Sequence, residues 1–453
     1  MQAFSRRAPR APFVRSWLAA AALAAVLPLA AASDGGGRAD ELVVQLATGV
    51  DAAAFAAARK LVPLDQFGSR PIWRLRLGAP GDVEAVAAAL QGQPEVVFAE
   101  PNFDGQTPEG ERGNSLWLIG NSEGEYRGQW VPQAMRLPQA HQVSTGRRIR
   151  VAVLDTGVEL NHPTIAPRLL RWRDGSLVGR DLVDDDAVPA EEGAYGDTGY
   201  GHGTHVAGLV ALAAPQAWLM PVRVLDAQGR GNLWVLAEGL AWAADPDGRP
   251  RSDDGAHVIN LSLGTTRPTR LLDAVVKLVT CQAFDDDDDD DFADPGFSAD
   301  RERCRRGQAA VVVASAGNGG SADERVYPAA EGVEGSRAVA ASTIERRLAD
   351  FSNSGGWIGV AAPGASVISS VPGQGWGVWS GTSMAAPLAA GTAALVLATR
   401  APGAQRANPR AWTPEQVVKR LEDRSAKLCD ASLRQVDARA AVTDTSAPDP
   451  ACP

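Results

Sequence analysis

Residues 149–157 have the sequence Ile-Arg-Val-Ala-Val-Leu-Asp-Thr-Gly, a largely apolar run that ends in an acidic side chain. Such a run is typical of a parallel strand that helices cover on both faces. Similar runs occur at residues 219–224, 258–261, 309–314 and 338–341. Because helical stretches such as residues 233–244 and 271–284 separate these runs, the sequence predicts an α/β fold with three layers around a mostly parallel sheet.

A smaller unit precedes this domain, at residues 33–103. Its expected elements are a strand at 41–46, a helix at 51–60, a strand at 72–77, a helix at 82–90 and a strand at 95–99. Asp51 and Asp82 are suited to cap the two helices. The sequence therefore predicts a small α+β domain. Residues 104–124 follow it, and residues 104–115 carry turn residues and charge but almost no apolar side chains, so we expect a linker in which proteolytic cleavage occurs.

The composition limits the possible classes of protein. The 453 residues carry a formal net charge of −10. This charge argues against nucleic-acid binding, because phosphate contacts need a basic face. Arginines precede an apolar run at residues 17–32, which is too short for a comfortable membrane span and ends in Ala-Ala-Ala. We therefore expect a signal peptide at residues 1–32 and a secreted protein, extracellular or periplasmic, with no membrane span in its mature form. An uncleaved anchor is the alternative, and Pro28 within the run argues against it.

Four side chains stand out because each follows a strand or begins a helix. Asp155 ends the first strand, and ligands of α/β sheets bind at the carboxyl ends of strands. His202 lies between two glycines, which allow a substrate close to its ring. Ser383 lies at the start of an Ala-rich helix, where the helix dipole favours an anion, and Asn318 offers an amide donor after a Val-rich strand. Each also has a purely structural interpretation, as a turn Asp, a packed His, a capping Ser or a turn Asn.

The order and context of these side chains resemble those of the subtilisin-like serine peptidases, the subtilase family. The motifs are Asp-Thr-Gly at residues 155–157, His-Gly-Thr-His at 202–205, Ala-Gly-Asn at 316–318 and Gly-Thr-Ser-Met-Ala at 381–385. The resemblance implies a subtilisin-like catalytic domain at residues 125–448. It also implies a catalytic triad of Asp155, His202 and Ser383, with Asn318 and the N–H of Ser383 as the oxyanion hole. The implied activity is that of a serine endopeptidase that acts through an acyl-enzyme and needs no cofactor for its chemistry.

The resemblance also implies how substrates and the N-terminal unit are bound. A protein or peptide substrate would lie as an added strand against Gly229, Gly231, Ser262, Leu263 and Gly264. Val326 aligns with a position in the P1 pocket where many relatives carry glycine, so we expect it to disfavour large aromatic P1 residues. Residues 33–103 resemble the inhibitory propeptide of the family, which implies an intramolecular inhibitor, an autoprocessed zymogen and a monomeric mature enzyme. A permanent accessory domain is the alternative.

Two acidic segments of the sequence are candidate calcium sites. Residues 285–303 form an insertion that contains seven consecutive Asp, at 285–291. Carboxylates are the ligands that calcium prefers, but adjacent like charges usually repel one another and stay solvated. Asp184 and Asp186 lie in a loop that resembles a calcium site of some relatives, so calcium is a candidate structural ion there. Four cysteines permit three pairings, of which the simplest is Cys281–Cys304 with Cys429–Cys452.

Three other functions remain open at this point. One is an inactive relative that serves as a binding module, which the complete set of motif residues argues against. Another is a narrow processing peptidase for one partner, which the acidic insertion and Val326 leave open. The last is a metal-dependent hydrolase built on His202 and His205, which lacks the neighbouring glutamate that a zinc motif of this kind uses.

Overall fold

The computed structural model describes residues 40–110, 118–284, 290–399 and 412–449, together with Cys452. The expected signal peptide, residues 1–32, lies outside the described residues, as do residues 285–289 of the acidic run. Within the described ranges, no helix combines the length and the apolar character that a membrane crossing requires.

The N-terminal domain, residues 40–103, is an antiparallel sheet of four strands with two helices. Its strands are β1 (Glu41–Leu46), β2 (Leu61–Gln66), β3 (Ile72–Leu77) and β4 (Val96–Pro101), and its helices are α1 (Ala52–Ala58) and α2 (Val83–Gln91). Asp51 and Asp82 cap the helices, each accepting a hydrogen bond from the backbone N–H three residues further on. The small α+β domain that the sequence predicts is thus confirmed.

One strand of this domain, β2, is missing from the sequence prediction. The strand order is β2-β3-β1-β4, so β2 lies at an edge of the sheet. Pro63 within β2 lacks the N–H that a central strand would need, which is why the pattern did not indicate a strand. The pairing of β2 with β3 also shifts register between Pro63 and Asp65, as it does at a β-bulge.

The large domain follows, with its elements numbered in chain order. Its strands are β5 (Asp104–Gln106), β6 (Leu118–Asn121), β7 (Arg150–Asp155), β8 (Arg180–Asp181), β9 (Trp218–Arg223), β10 (Arg230–Asn232), β11 (Val258–Leu261), β12 (Val311–Ser315), β13 (Ser336–Ser342), β14 (Val360–Pro363), β15 (Val367–Val371), β16 (Gly375–Trp379), β17 (Ala426–Lys427) and β18 (Arg434–Gln435). Its helices are α3 (Glu123–Gly128), α4 (Trp130–Ala134), α5 (Leu137–Ala140), α6 (His202–Ala213), α7 (Leu233–Ala244), α8 (Arg270–Thr280), α9 (Ser298–Arg305), α10 (Thr382–Leu397), α11 (Pro414–Asp423) and α12 (Ala438–Thr443).

The main sheet has the order β17-β18-β14-β13-β12-β11-β7-β9-β8. Its neighbours pair in parallel except β17 with β18. Side chains of β7 alternate between two cores. Val151 and Val153 belong to the core that contains α6 and α10, whereas Ala152 and Leu154 belong to the core that contains α7 and α8. The sheet is therefore buried on both faces, which confirms the three-layer α/β fold.

Two disulfides close loops at the surface of the large domain, Cys281–Cys304 and Cys429–Cys452. The first joins the residue after α8 to α9, so it ties together the two ends of the acidic insertion.

The structure describes residues 104–110 and 118–124 of the expected linker, and both parts contain regular structure. Residues 104–106 form β5, which pairs with β10, and Thr107, Pro108 and Glu109 are buried. Residues 123–128 form α3, which begins with a capping box on Ser122. Main-chain pairing, which needs no apolar side chains, holds residues 104–106 in place, and cleavage within residues 104–124 stays a prediction.

Candidate active site

Asp155 and His202 meet at the carboxyl end of the main sheet. Asp155 is the last residue of β7, and His202 is the first residue of α6. Gly201 precedes the helix with a φ of +86°, a left-handed conformation that glycine adopts without strain. The Nδ1–H of His202 donates a hydrogen bond of 2.7 Å to Oδ1 of Asp155, and both side chains are buried. This contact fixes the orientation of the ring and leaves Nε2 for another partner.

Ser383 and Asn318 come from the opposite side of the site. Ser383 is the second residue of α10, and Asn318 lies three residues beyond the end of β12. The Oδ1 of Asn318 accepts hydrogen bonds from the N–H and the hydroxyl of Thr382, each at 2.9 Å. Two donors identify this atom as the oxygen, so the amide nitrogen Nδ2 is the atom that points into the site.

Glu109 occupies the space between these residues. Its Oε2 accepts a hydrogen bond from Oγ of Ser383 at 2.7 Å and another from Nε2 of His202 at 3.1 Å. Its Oε1 accepts a hydrogen bond from Nδ2 of Asn318 at 2.9 Å. The residue is 1% exposed. Three of the four side chains that the sequence singled out, His202, Asn318 and Ser383, therefore bond to a single carboxylate that was not itself among them.

His202 lies between two acidic side chains, Asp155 at Nδ1 and Glu109 at Nε2. Burial alone would lower the pKa of His202, but the charge and hydrogen bond of Asp155, together with those of Glu109, raise it to about 10. Burial also works against the charge of Glu109. The hydrogen bond and charge of His202, with the hydrogen bonds from Ser383 and Asn318, nevertheless hold the pKa of Glu109 below its usual value. At neutral pH an imidazolium thus lies between two carboxylates.

Glu191 is a half-buried acid beside this centre that sequence reasoning missed. Its carboxylate accepts hydrogen bonds from the hydroxyl of Thr156 at 2.7 Å and from the hydroxyl of Thr204 at 2.8 Å. Thr156 follows Asp155 and Thr204 lies in the first turn of α6, so Glu191 joins the elements that carry Asp155 and His202. Burial raises its pKa to about 7 although these hydrogen bonds oppose the shift. Its loop has no hydrophobic period that would distinguish Glu191 from the other acids of the loop.

The segment after the N-terminal domain fills the cleft beside this centre. β5 pairs antiparallel with β10 on one side. On the other side, the N–H and C=O of Gln106 exchange two hydrogen bonds of 2.9 Å with Gly264. The N–H of Thr107 then donates to the carbonyl of Gly229 at 3.0 Å. Both backbone edges that the sequence analysis assigned to substrate are therefore occupied by the chain itself.

The remaining residues assigned to substrate contact lie along the same two edges. Gly231 is the middle residue of β10 and lies opposite Gly105. The hydroxyl of Ser262 donates to the carbonyl of Ser383 at 3.0 Å, which joins the second edge to α10. Leu263 is buried and belongs to the core that contains α7 and α8. Its side chain therefore supports the edge from behind.

The chain turns sharply as it leaves the cleft. The N–H of Gly110 donates to the carbonyl of Thr107 at 3.0 Å, which closes a turn with Pro108 at its second position. Pro108 has no N–H to offer to the cleft. Glu109 is the third residue of this turn, and its side chain reaches the catalytic centre.

Val326 fills the space between two backbone segments near the centre. A Cβ placed on Gly264 would lie 2.5 Å from Cγ1 of Val326, and a Cβ placed on Gly317 would lie 2.6 Å from Cγ2. The side chain is buried, and the next residue, Tyr327, pairs with Thr265 through backbone hydrogen bonds. The valine therefore fills space between the second edge of the cleft and the loop that carries Asn318.

The N-terminal domain contacts the large domain through the starts of two helices. Glu100 accepts hydrogen bonds from the backbone N–H groups of Arg270 and Leu271 at the N-terminus of α8. Asn102 accepts a hydrogen bond from the N–H of Trp234 at the N-terminus of α7. Acceptors at these positions satisfy N–H groups that a helix leaves unpaired. The N-terminal domain thus caps helices that it does not itself contain.

The acidic insertion also contacts the N-terminal domain. Arg70 donates two hydrogen bonds to the carboxylate of Asp300, at 2.7 and 2.9 Å. The hydroxyl of Ser69 donates to the carbonyl of Gly296 at 2.8 Å. Phe67 of the N-terminal domain belongs to the same buried cluster as Phe297 of the insertion. This part of the insertion therefore extends the surface on which the N-terminal domain rests.

The calcium candidates lie around an arginine. The guanidinium of Arg223 bonds to the carboxylates of Asp181 at 2.8 Å, Asp184 at 2.5 Å and Glu192 at 3.0 Å. These three acids form a cluster with the spacing of metal ligands, and Asp186 is outside it. Arg223 offsets only one of the three negative charges of the cluster, so Asp181, Asp184 and Glu192 keep the carboxylate oxygens that calcium prefers. Calcium at Asp184 stays a prediction, whereas Asp186 is not part of the cluster.

His205 packs beside the centre without sharing a ligand site with His202. Its ring lies against Trp379, and its Nε2 is 3.3 Å from the carbonyl of Gly377. Burial and the charge of His202 lower its pKa to about 3. Among the described residues, the acidic groups with metal-ligand spacing include neither histidine.

Comparisons with known proteins agree with this geometry. The model of the Subtilase family matches residues 146–446, and the model of the fervidolysin N-terminal prodomain matches residues 28–102. The chain is 33% identical over 331 residues to a thermophilic serine proteinase of Bacillus sp. (strain AK1), covering 70% of this chain and 67% of that protein. It is 34% identical over 279 residues to thermitase of Thermoactinomyces vulgaris, covering 59% of this chain and 81% of thermitase.

A solved structure extends the likeness to both domains. The crystal structure of fervidolysin from Fervidobacterium pennivorans, described as a keratinolytic enzyme related to subtilisin, matches 92% of this chain with a TM-score of 0.65 and 22% identity. The match spans 62% of the fervidolysin chain, and at this identity it supports the fold alone. Taken with the matching family models, the chain belongs to the subtilase family of serine endopeptidases, with an N-terminal prodomain.

Proposed function

We propose that this protein is a secreted endopeptidase, made as an autoprocessed zymogen, that cleaves peptide bonds with Asp155, His202 and Ser383. The observation that carries the proposal is that one oxygen atom, Oε2 of Glu109, bonds to both the Ser383 hydroxyl and Nε2 of His202. Once that oxygen leaves, the hydroxyl and the ring nitrogen are neighbours, as a nucleophile and its base must be.

The chemistry follows from the roles of these atoms. Nε2 of His202 takes the proton of Ser383 as Oγ bonds to the substrate carbonyl carbon. Nδ2 of Asn318 and the N–H of Ser383 then stabilise the oxyanion, while Asp155 stabilises the imidazolium through Nδ1. The imidazolium returns its proton to the leaving amine as the peptide bond breaks, and Ser383 is left acylated. A water molecule then attacks the ester carbonyl of the acyl-enzyme, with His202 as its base. The ester bond breaks, Oγ of Ser383 regains its proton, and the carboxylic acid product leaves.

Substrates are protein or peptide segments that bind as added strands. Residues 104–107 already make such a strand between Gly229 and Gly264, which supports the same geometry for a substrate. Main-chain hydrogen bonds of this kind are independent of side-chain identity. Selectivity then depends on pockets, and Val326 narrows the space beside Gly264 and Gly317, so small P1 side chains are favoured.

The prodomain acts as an intramolecular inhibitor that is cleaved off after export. Its support is the buried contact of Glu100 and Asn102 with the starts of two helices, together with the strand that continues from it into the cleft. A basic stretch followed by a short apolar run at the N-terminus supports export by a signal peptide. The mature enzyme acts as a monomer and without a metal in its chemistry.

A small fluorophosphonate tests this function, because it reacts with an activated serine. We expect the processed protein to bind one equivalent of the probe at Ser383 and to lose peptidase activity in parallel. The activity should persist in excess chelator, which separates a serine mechanism from a metal-dependent one. The matched variant Ser383→Ala should neither react nor hydrolyse peptides. Peptide hydrolysis that survives Ser383→Ala would contradict the proposal.

A further inference from the structure

The catalytic centre of the zymogen is filled by a side chain and not by a peptide bond. A carboxylate, that of Glu109, receives the hydroxyl hydrogen of Ser383 and the amide hydrogen of Asn318. These are the groups that would act on a substrate carbonyl. The carboxylate also accepts the Nε2–H of His202 at 3.1 Å. The proposed nucleophile, its base and the side-chain donor of the oxyanion hole are therefore all engaged by one residue of the same chain.

Resting on the proposed function, we propose that Glu109 is an inhibitory plug. Its side-chain carboxylate occupies the site of the substrate carbonyl and keeps Ser383 unreactive until Glu109 leaves the centre. The plug adds to the inhibition that the prodomain exerts by lying in the cleft as a strand.

The turn at Thr107 explains why the plug is a side chain. The segment runs as a strand through Gln106 and then folds back through the hydrogen bond from Gly110 to Thr107. Pro108 favours this turn and has no N–H with which to continue the strand. The turn therefore brings the side chain of Glu109 to Ser383.

A carboxylate is well suited to hold the centre without reacting. The two oxygens of a carboxylate share its negative charge, which makes the carboxylate carbon a poor electrophile. Ser383 therefore forms no bond to that carbon, and no bond of Glu109 is broken. Nε2 of His202 donates its hydrogen to this carboxylate and cannot serve as a base while it does so. The Ser383 hydroxyl is held by the same oxygen. Nucleophile and base are thus occupied together.

The surroundings fit a carboxylate closely. A Cβ on Gly381 would lie 1.7 Å from Oε1 of Glu109, so the space that the oxygen occupies exists only because residue 381 is glycine. The charged groups around the plug are the imidazolium of His202 and, behind it, Asp155, with Glu191 further back. The imidazolium is the nearest, and its positive charge attracts the plug.

Full-length variants test the plug. In Glu109→Ala the carboxylate is absent, and in Glu109→Gln its shape is kept while its charge is lost. Glu345→Gln is the matched control, because it makes the same change at an exposed carboxylate outside the segment that lies in the cleft. For each chain, the rate of labelling by a small fluorophosphonate is measured from the moment of folding, and the half-time of processing is followed by intact mass. Glu109→Gln keeps the test possible if Glu109→Ala folds poorly.

We expect Glu109→Ala to be labelled at least about tenfold faster than wild type before processing, and to be processed correspondingly faster. Glu109→Gln should lie between them, and Glu345→Gln should match wild type. Equal labelling rates in wild type and both Glu109 variants, with peptidase activity present in all, would overturn the plug and leave the proposed function standing. No labelling and no hydrolysis in any chain, even when the prodomain has been removed, would overturn both.

Discussion

The Oε2 atom of Glu109 lies 2.7 Å from the Oγ atom of Ser383, and both residues are buried. The two residues are 274 positions apart in the sequence, with Glu109 just after the N-terminal domain and Ser383 in the first turn of α10 of the large domain. In the plug that we propose, the chain therefore inhibits its own Ser383 at the reacting Oγ atom. Activation is then the removal of one carboxylate from a centre that is otherwise assembled.

The first prediction concerns the pH dependence of processing. The pKa of His202 is raised from 6.5 to about 10, so the stability that its charge gives the plugged centre is complete below about pH 6.5 and is lost towards pH 10. The pKa of Glu109 is lowered from 4.5, so its contribution is present above pH 4.5 and is lost as the pH falls below that value. The plug should therefore be most stable between about pH 4.5 and pH 6.5, where both charges are present.

Processing half-times of wild type and Glu109→Gln, measured by intact mass from pH 6.5 to 10, check this prediction. Deprotonation of His202 speeds both chains, because the base must be neutral. Only wild type also loses the ion pair between Glu109 and His202. The half-time of wild type divided by that of Glu109→Gln should therefore fall as the pH rises. A ratio that stays constant over this range would show that the ion pair does not hold the plug.

The second prediction concerns the residue that holds Asn318. The hydroxyl of Thr382 donates to Oδ1 of Asn318 and accepts from the N–H of Gly317 at 3.1 Å. Thr382→Val removes both hydrogen bonds and keeps the shape, so kcat should fall by about tenfold while KM changes little. Asn318→Ala should cost about 10²–10³ in kcat, as the loss of such a donor does in subtilisin. Thr382→Ser keeps the hydroxyl and should keep kcat near wild type. A fall in kcat as large in Thr382→Ser as in Thr382→Val would contradict this role.

The third prediction concerns P1 selectivity. Val326 fills the space beside Gly264 and Gly317. Wild type should therefore have a higher kcat/KM on peptides with Ala at P1 than on peptides with Phe. Val326→Gly should raise kcat/KM for Phe relative to Ala by about 10–100-fold, with Val326→Ala between the two. A wild-type preference for Phe at P1 would show that Val326 does not line the pocket.

The fourth prediction concerns the acidic insertion. Arg70 and Asp300 form a hydrogen-bonded pair across the domains whose side chains are 16% and 8% exposed. Arg70→Met leaves Asp300 without its partner across the domains. The inhibition constant of the cleaved prodomain for the processed enzyme should therefore rise about 30-fold. The exposed pair Arg267–Glu84 is the matched control, because Glu84→Gln at a solvated salt bridge should have little effect.

The time course of peptidase activity after processing, at several dilutions, measures this inhibition constant. Reversal of the pair in Arg70→Asp/Asp300→Arg should restore part of the inhibition. If Arg70→Met and Glu84→Gln behave alike, the insertion does not help to hold the prodomain.

Much of the fold was predictable because buried strands and capped helices leave local patterns. The run at residues 150–155 is apolar on both faces and forms a central strand, and α7 has the bounds 233–244 that its sequence predicts. Asp155, His202, Ser383 and Asn318 were found because they lie in motifs. β2 was missed because Pro63 breaks the pattern of a strand that needs only one partner.

Residues 104–110 could not be interpreted correctly because their structure depends on partners far away in sequence. β5 is held by main-chain hydrogen bonds to residues 229–232 and 264, which leave no trace in its own side chains. Glu109 lies in a polar segment with other acids, and no local rule distinguishes it from them. Arg223 escaped notice as a partner of Asp184 for the same reason, since the acidic loop alone suggested a metal.

Intact mass of the full-length protein, wild type beside Ser383→Ala, shows whether Ser383 removes the prodomain. We expect wild type to lose its prodomain, with a new N-terminus between about residues 102 and 125, while Ser383→Ala keeps it. Such a result would mean that the serine held by Glu109 is the one that frees the enzyme. Identical cleavage of both proteins, or prodomain retained in a wild type that hydrolyses no peptide, would contradict the account.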